Sequence, residues 1–481
     1  MRIYYSIALL SLICAALTAK QPNVLLIMAD DFGVGNINAY GASKELVRTP
    51  SLNQLAEDGM LFTGANTPGS ICSPTRYALI TGEYAWRGPL PFGVVNVDDP
   101  MIVDTDRKTL PKYFQELGYM TAQVGKWHLG YGSERPVDWT EKLSPSPNDV
   151  GFDYHFGLPQ NLDDKLRVWI ENDQVWGLRS KKLSPYAKSF YGGQYVGLDA
   201  PQRERESADR FLAEKAIQWI RTTHRSHPEK PFFMYFAPAA AHHPIVPSEE
   251  MRGASDAGAY GDFIQDLDSV VGSLIRTLEY EGIDDETIII FTADNGSDIP
   301  SNDPNRPENQ AARKGLEANG INRGDKHTIY EGGARVPLLI RWDGKVVPGS
   351  VSDRGLNIVD IYATLAEAVT GETPTAAEAP DSISFAPTLL GEEQQQRPAM
   401  ITSNAAGLHA IRSGKWKYID GLFPEGAPDH LKRHFKPQAE PALFDLETDP
   451  SESNNMFAQN PEIVERMQRM LDNIRANPTR P

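Results

Sequence analysis

Asn23-Val24-Leu25-Leu26-Ile27-Met28-Ala29-Asp30-Asp31 sets an unbroken apolar run directly against two carboxylates. A short run without polar alternation is the pattern of a strand covered on both faces, as in a parallel sheet. Adjacent carboxylates at its end repel each other unless a cation lies between them, and the carboxyl ends of strands are where open α/β sheets keep their ligands.

Three more runs repeat the arrangement. Met120-Thr121-Ala122-Gln123-Val124 leads into Gly125-Lys126-Trp127-His128, where strand alternation would turn Lys126 and His128 to one side. Pro231 to Ala237 leads to Ala241-His242-His243-Pro244, and Thr287 to Thr292 to Ala293-Asp294-Asn295-Gly296. Helical periodicity separates the strands at Ala208 to Arg221 and Tyr260 to Glu279, with a late helix at Asn357 to Val369. Thr49 to Asp58 and Thr109 to Glu116 read as capped helices, and Met60 to Thr63 as a strand. The expected fold is therefore α/β, a mostly parallel sheet flanked by helices.

After a Pro/Thr/Ala-rich stretch, Gly371 to Pro380, the pattern changes. Leu408 to Arg412 and Lys415 to Ile419 form a hairpin pattern around Ser413-Gly414; Leu443 to Leu446 adds a strand and Pro461 to Ala476 a closing helix. We divide the chain into 1–19, 20–380 (catalytic) and 381–481, a smaller α+β subdomain with an antiparallel sheet. Residues 1–19 read as a secretory signal peptide: a basic start, an apolar core and a small-residue end. Cys14 lies within that apolar core, but Ile13 fits a lipoprotein processing site poorly, so simple cleavage is expected. No later run is long enough to span a membrane. A formal charge of −17 argues against nucleic acid as a partner, which needs a basic face, but not against an anion held in a local cationic cleft.

Removal of the leader would leave one cysteine, Cys72, in Ile71-Cys72-Ser73-Pro74-Thr75-Arg76. Ser73 can cap a helix that Pro74 opens and Gly82 stops, which puts Cys72 at a helix N-terminus with Arg76 one turn on. Asp30, Asp31, Asp294 and Asn295 offer only oxygen ligands, a set that selects Ca²⁺ or Mg²⁺ over zinc. Together with Arg76, Lys126 and Lys326, such a site would suit a tetrahedral oxyanion. The insertion Trp169 to Tyr195 interleaves Arg179, Lys181, Lys182 and Lys188 with Trp169, Trp176, Tyr186 and Tyr191, a mixture suited to a sulfated sugar.

Taken in order, Asp-Asp, Cys-x-Pro-x-Arg, Gly-Lys-x-His, His-x-Pro and Asp-Asn-Gly resemble the type I, formylglycine-dependent sulfatases, as do Arg323-Gly324-Asp325-Lys326 and Tyr330 to Pro337. The resemblance implies an alkaline-phosphatase-like α/β fold and an exported, periplasmic or secreted, hydrolase of sulfate esters on sulfated polysaccharides or oligosaccharides. It implies that a formylglycine-generating or sulfatase-maturating enzyme converts Cys72 to formylglycine. Asp30, Asp31, Asp294 and Asn295 would then bind Ca²⁺ with the modified residue, Mg²⁺ being the lesser choice, and Arg76 would stabilise that residue. One hydroxyl of the hydrated aldehyde would attack sulfur; the second, deprotonated with His128 as the candidate base, would expel sulfate. His242 and Lys326 would protonate or polarise the departing oxygen and Lys126 would clamp the sulfate.

One departure stands out. After Gly157-Leu158-Pro159, where relatives often carry a serine, this chain has Gln160-Asn161, and Asn161 is the candidate substrate contact. Two rival readings remain open on sequence: a phosphodiester or phosphonate monoester hydrolase of the same superfamily, and a non-catalytic glycan-binding protein.

Overall fold

A computed structural model of the chain describes residues 21–300 and 303–477; the expected leader lies outside them. Ten strands form one sheet: β1 Asn23–Ala29, β2 Met60–Phe62, β3 Met120–Lys126, β4 Tyr154–Leu158, β5 Ile170–Glu171, β6 Gln174–Val175, β7 Phe232–Ala237, β8 Thr287–Ala293, β9 Leu338–Arg341 and β10 Ser350–Ser352. Their order across the sheet is β10-β2-β9-β8-β1-β7-β3-β4-β5-β6. The five central strands, β8 to β4 in that order, run parallel; β9 opposes β8 and β2, and β5 opposes β4. Every residue of β1, β7 and β8 is buried, which is why these strands show unbroken apolar runs. The register pairs Ala29 with Ala293 and Ile27 with Phe236, so Asp30, Asp294 and the loop after β7 emerge at one rim.

Two groups of helices flank the sheet. α1 (Pro50–Asp58) and α4 (Ala208–Ser226) each pack on α5 (Ala259–Glu281); α2 (Cys72–Thr81) packs on α3 (Leu110–Glu116) and α6 (Ile361–Thr370). Thr109 caps α3 as expected, accepting the Lys112 N–H. Thr49 does not cap α1. Asp268 of α5 does so instead, accepting the N–H groups of Ser51 and Leu52 at 3.0 and 2.9 Å, so a tertiary carboxylate replaces the local hydroxyl.

A second, antiparallel sheet follows: β11 Met400–Ser403, β12 His409–Ser413, β13 Trp416–Ile419 and β14 Ala442–Asp445, covered by α7 (Pro461–Ala476). It shares its apolar clusters with the far side of α2. Ala78 and Tyr84 pack with Ile401, Ile411, Leu443 and Leu471, and Ile71 packs with Leu408, Ala410 and Phe444. The stretch Gly371 to Pro380 is not a free linker. Pro374, Ala379 and Pro380 are buried and Glu378 pairs with Lys108 at 3.0 Å, so packing overrides the composition.

Candidate active site

Extended chain would send consecutive side chains to opposite faces. Asp31 instead takes a left-handed conformation (φ 53°), one that a short polar residue adopts at modest cost, and both carboxylates reach the same cluster. There they meet Cys72, the first residue of α2. Its Sγ lies 3.7 Å from Asp30 Oδ1 and 4.0 Å from Asp31 Oδ1. The α2 N-cap is Ile71, not Ser73, whose hydroxyl is engaged elsewhere: it donates to the His128 carbonyl at 2.9 Å and accepts the Val95 N–H at 3.1 Å. Ser73 thus ties the helix start to two loops.

Three cations answer three carboxylates. Lys126 Nζ sits 2.9 and 2.7 Å from the two oxygens of Asp30, and 2.7 Å from Asn161 Oδ1. Lys326 Nζ lies 2.8 Å from Asp31 Oδ2. Arg76 donates from Nε and Nη2 to Asp294 Oδ2 at 3.0 and 2.6 Å, and from Nη1 to the Lys126 carbonyl and the Tyr235 hydroxyl, both at 3.3 Å. All six charged groups are buried. Burial raises the Asp30 carboxyl, but Lys126, Arg76 and Lys326 outweigh it and hold the group below its usual range. Burial pushes Asp31 up to about 7, with Asp30 and Asp294 adding to the push and Lys326 only partly offsetting it. The Cys72 thiol is also driven up by burial, so the unmodified residue is a protonated thiol and a poor nucleophile.

Two histidines complete the cluster. β3 ends at Lys126, and His128 arrives through its own left-handed turn (φ 59°), so a turn, not strand alternation, turns it toward the site. It is buried, and neither ring nitrogen has a partner among the described residues. Burial, then Lys126 and Arg76, hold its imidazole neutral, far below the ordinary value. His242 Nδ1 lies 2.5 Å from the His243 carbonyl, an oxygen that only accepts, so Nδ1 carries a proton and Nε2 is turned toward the cluster. Nε2 stands 3.5 Å from Asp31 Oδ2. Asp209 of α4 positions the approach to this histidine by accepting the N–H groups of Ala239 and Ala240 at 2.7 and 2.9 Å. Neither Asp209 nor Tyr235 carried any sequence signal, since each belongs to an ordinary helix or strand pattern.

The donor set fits a divalent cation. One ligand atom from each of Asp30, Asp31, Cys72 and His242 lies within 4.8 Å of the others, and the buried Asn295 Oδ1 has no donor facing it. Asn295 Nδ2 donates to Asp31 Oδ1 at 2.7 Å, and Asp294 Oδ1 accepts the Asp31 N–H at 3.1 Å, so both join the same cluster. Trp169 and Trp176 of the insertion do not belong to it. They pack with Phe156 and Phe211 in the core, Arg179 pairs with Asp199 and Lys181 with Glu141, while Tyr191 reaches His242.

The sulfatase family profile matches residues 22–371. The chain belongs to the sulfatase family. It is 33% identical to an N-acetylgalactosamine-6-O-sulfatase of Bacteroides thetaiotaomicron over 95% of this chain and 94% of that one. Against arylsulfatase A of Bos taurus the identity is 30%, over 95% and 87% of the two chains. Among solved structures, a Bacteroides thetaiotaomicron sulfatase described with the metabolism of multiple glycosaminoglycans superposes with a TM-score of 0.85 at 32% identity, covering 95% of this sulfatase and all of that chain. A phosphonate monoester hydrolase of Agrobacterium radiobacter reaches a TM-score of 0.62 at 20% identity over 95% and 96% of the chains, a likeness of fold alone. The sulfatase is thus an enzyme, a sulfuric ester hydrolase, and the non-catalytic reading falls away. No helix among the described residues is long and apolar enough to cross a membrane.

Proposed function

We propose that this sulfatase hydrolyses sulfate esters on sugar chains, using formylglycine made from Cys72 beside a Ca²⁺ ion. The observation that carries the reading is the balance of the site: three buried carboxylates matched by three buried cations, all closing on residue 72. A dication held by Asp30, Asp31, Asp294, Asn295 and residue 72 would leave that balance positive. A sulfate ester, a monoanion, would be drawn into that positive excess and offset part of it. The all-oxygen character of the carboxylate and amide donors favours Ca²⁺, or secondarily Mg²⁺, and the ion would supply positive charge against the sulfate oxygens. Oxidised and hydrated, residue 72 would carry two hydroxyls in place of one thiol, supplying a nucleophile and a second hydroxyl whose deprotonation can release sulfate.

The surrounding side chains take the remaining work. Lys126, bonded to Asp30 and Asn161, holds a sulfate oxygen, and Asn161 orients that ammonium and contacts the substrate. Arg76 fixes Asp294 and the charge next to residue 72. His128, neutral and unpartnered, is the base. Lys326 and His242 face the leaving oxygen and would protonate or polarise it. General acid and base assistance of this kind is worth about two to four orders of magnitude. The relative's name points to N-acetylgalactosamine 6-sulfate as the first ester to assay. Export through residues 1–19 and modification by a formylglycine-generating or sulfatase-maturating enzyme complete the proposal.

Mass spectrometry of the Cys72 peptide from active enzyme should find the aldehyde or its hydrate. Active protein carrying only thiol would overturn the mechanism, and faster turnover of phosphate diesters than of sulfate esters would overturn the substrate class. Asp294→Ala should weaken both calcium binding and turnover.

A further inference from the structure

Residues 180–195 stand out from the body as a flap. Ser180–Leu183 and Tyr186–Lys188 are fully exposed strands, and Leu183, Tyr186, Phe190 and Tyr191 show 47%, 37%, 54% and 41% of their surfaces to solvent. Four large apolar side chains on a basic loop are costly unless something covers them. The tip of the flap is held at two places, by the Phe190 N–H on Asp163 Oδ2 at 3.0 Å and by its contacts with the His242-His243 pair. The Tyr191 hydroxyl donates to the His243 carbonyl and its oxygen lies 3.2 Å from His242 Nδ1, while the Phe190 ring packs on His243 at 4.3 Å.

Behind that anchor lies a 600 Å³ cavity, walled by Tyr191 and Ser189 from the flap, Asn96 from the loop after α2, and Gln160 and Lys165 from the loop after β4. Three of these walls are one step from the catalytic cluster. Tyr191 bonds His242, Gln160 adjoins Asn161 on Lys126, and Asn96 follows Val95, whose N–H is held by Ser73 beside Cys72. The volume is in the range of small-ligand sites. Its charges are already matched, Lys165 by Asp98 and Arg135 by Asp99, so it offers amides and hydroxyls to an uncharged polar ring and no spare cation to a second sulfate.

Resting on the function proposed above, we propose that this cavity is the subsite for the sugar that bears the scissile sulfate, with Tyr191 in two parts. Its ring is the wall against which the apolar face of the pyranose packs. Its hydroxyl is a positioning group: by sharing the His243 carbonyl with His242 Nδ1–H, it keeps His242 in one tautomer and orientation, with Nε2 toward the leaving oxygen.

The test compares Tyr191→Phe and Tyr191→Ala on N-acetylgalactosamine 6-sulfate and on 4-methylumbelliferyl sulfate, whose phenol leaves with little proton assistance. Tyr191→Phe should lower kcat on the sugar ester about three- to tenfold, leave its KM within twofold, and spare the aryl ester. Tyr191→Ala should in addition raise KM for the sugar ester about tenfold. An unchanged kcat for Tyr191→Phe on the sugar ester overturns the positioning role, and an unchanged KM for Tyr191→Ala overturns the subsite. Wild-type enzyme that frees sulfate from the aryl ester but from no sugar ester would refute both the subsite and the sugar-chain reading; failure on both esters would refute the sulfatase mechanism itself.

Discussion

Lys417→Met tests whether a buried ion cluster joins the two sheets. Lys417 Nζ lies 3.0 Å from Glu331 and 2.8 Å from Glu452, and all three side chains are 3% exposed or less. Losing the lysine affects the two acids unequally. Glu331 keeps Arg335 at 2.5 Å and Asn66 at 3.1 Å, while among the described residues Glu452 keeps only the Glu331 N–H at 2.6 Å. Burial already raises the Glu452 carboxyl against the pull of Lys417. Without that pull Glu452 must be neutral in the folded state. Neutralising a carboxyl that titrates near 4.3 when unfolded costs about 4 kcal/mol at pH 7.5 and about 2 kcal/mol at pH 5.5, at about 1.4 kcal/mol per unit, and these are upper bounds on the variant's deficit because the wild-type carboxyl is already raised. The first figure agrees with the roughly 3–5 kcal/mol expected when one partner is stripped from a buried pair. The sign follows from the raised folded value: the variant's deficit is smallest below the unfolded value and grows as pH rises toward the folded one. Urea unfolding of both proteins at pH 5.5, 6.5 and 7.5 reads this directly, and Lys417→Met/Glu452→Gln should recover most of the loss. A deficit under about 1 kcal/mol, or one independent of pH, would refute the reasoning.

Gly33→Ala should cost about 1–3 kcal/mol, because the added carbon would stand 2.1 Å from Asn319 Oδ1 and 2.3 Å from the Ala318 carbonyl; a thermal midpoint equal to wild type would contradict it. Arg76→Lys keeps the charge but loses the two-point grip on Asp294 and contacts to Lys126 O and Tyr235, so activity should fall at least tenfold with about 1.5–3 kcal/mol of stability; kinetics and calorimetry on one preparation check both. Burial pushes His155 down to about 3, and burial with Arg475 and Arg87 pushes His409 down to about 3. Unfolded, both titrate near 6.5, so their stability contribution is whole above that pH and is lost on acidification, each by about 2 kcal/mol between pH 6.5 and 5. His155→Gln should lower the acid slope of stability by one proton, and an unaltered slope would exclude the assignment.

Strands buried on both faces announced themselves as apolar runs, so β1, β3, β7 and β8 were legible with no knowledge of their neighbours. Short β4, β5, β6 and β9 were not, because a strand of two to five residues takes its identity from its partner, and its sequence holds little of that. In the site, the residue types were readable because carboxylates and cations at strand ends are unusual. The way they meet was not. Ser73 and Thr49 looked like caps, but hydroxyls also serve distant partners, and only the fold decides which. His128 followed no alternation since its backbone leaves the strand first. Trp169 and Trp176 had the composition of a sugar platform but the surroundings of a core.

The placement of Cys72 depends on more than the strands that carry its neighbours. All ten residues of α2 are buried, and a helix of ten residues has little stability of its own. Its direction is therefore set by what packs on it from both sides. Tyr77, Leu79 and Ile80 join the core of the ten-stranded sheet; Ala78 and the preceding Ile71 join clusters built from β11 to β14. The antiparallel sheet thus braces the back of the helix whose first residue is Cys72. The Lys417 cluster reinforces that brace at Glu331, whose carboxylate also receives the Asn66 amide, six residues before Cys72. Loosening the second sheet should thus move the position of residue 72 relative to Asp30 and Asp31 before it moves those carboxylates, which stand on fully buried β1.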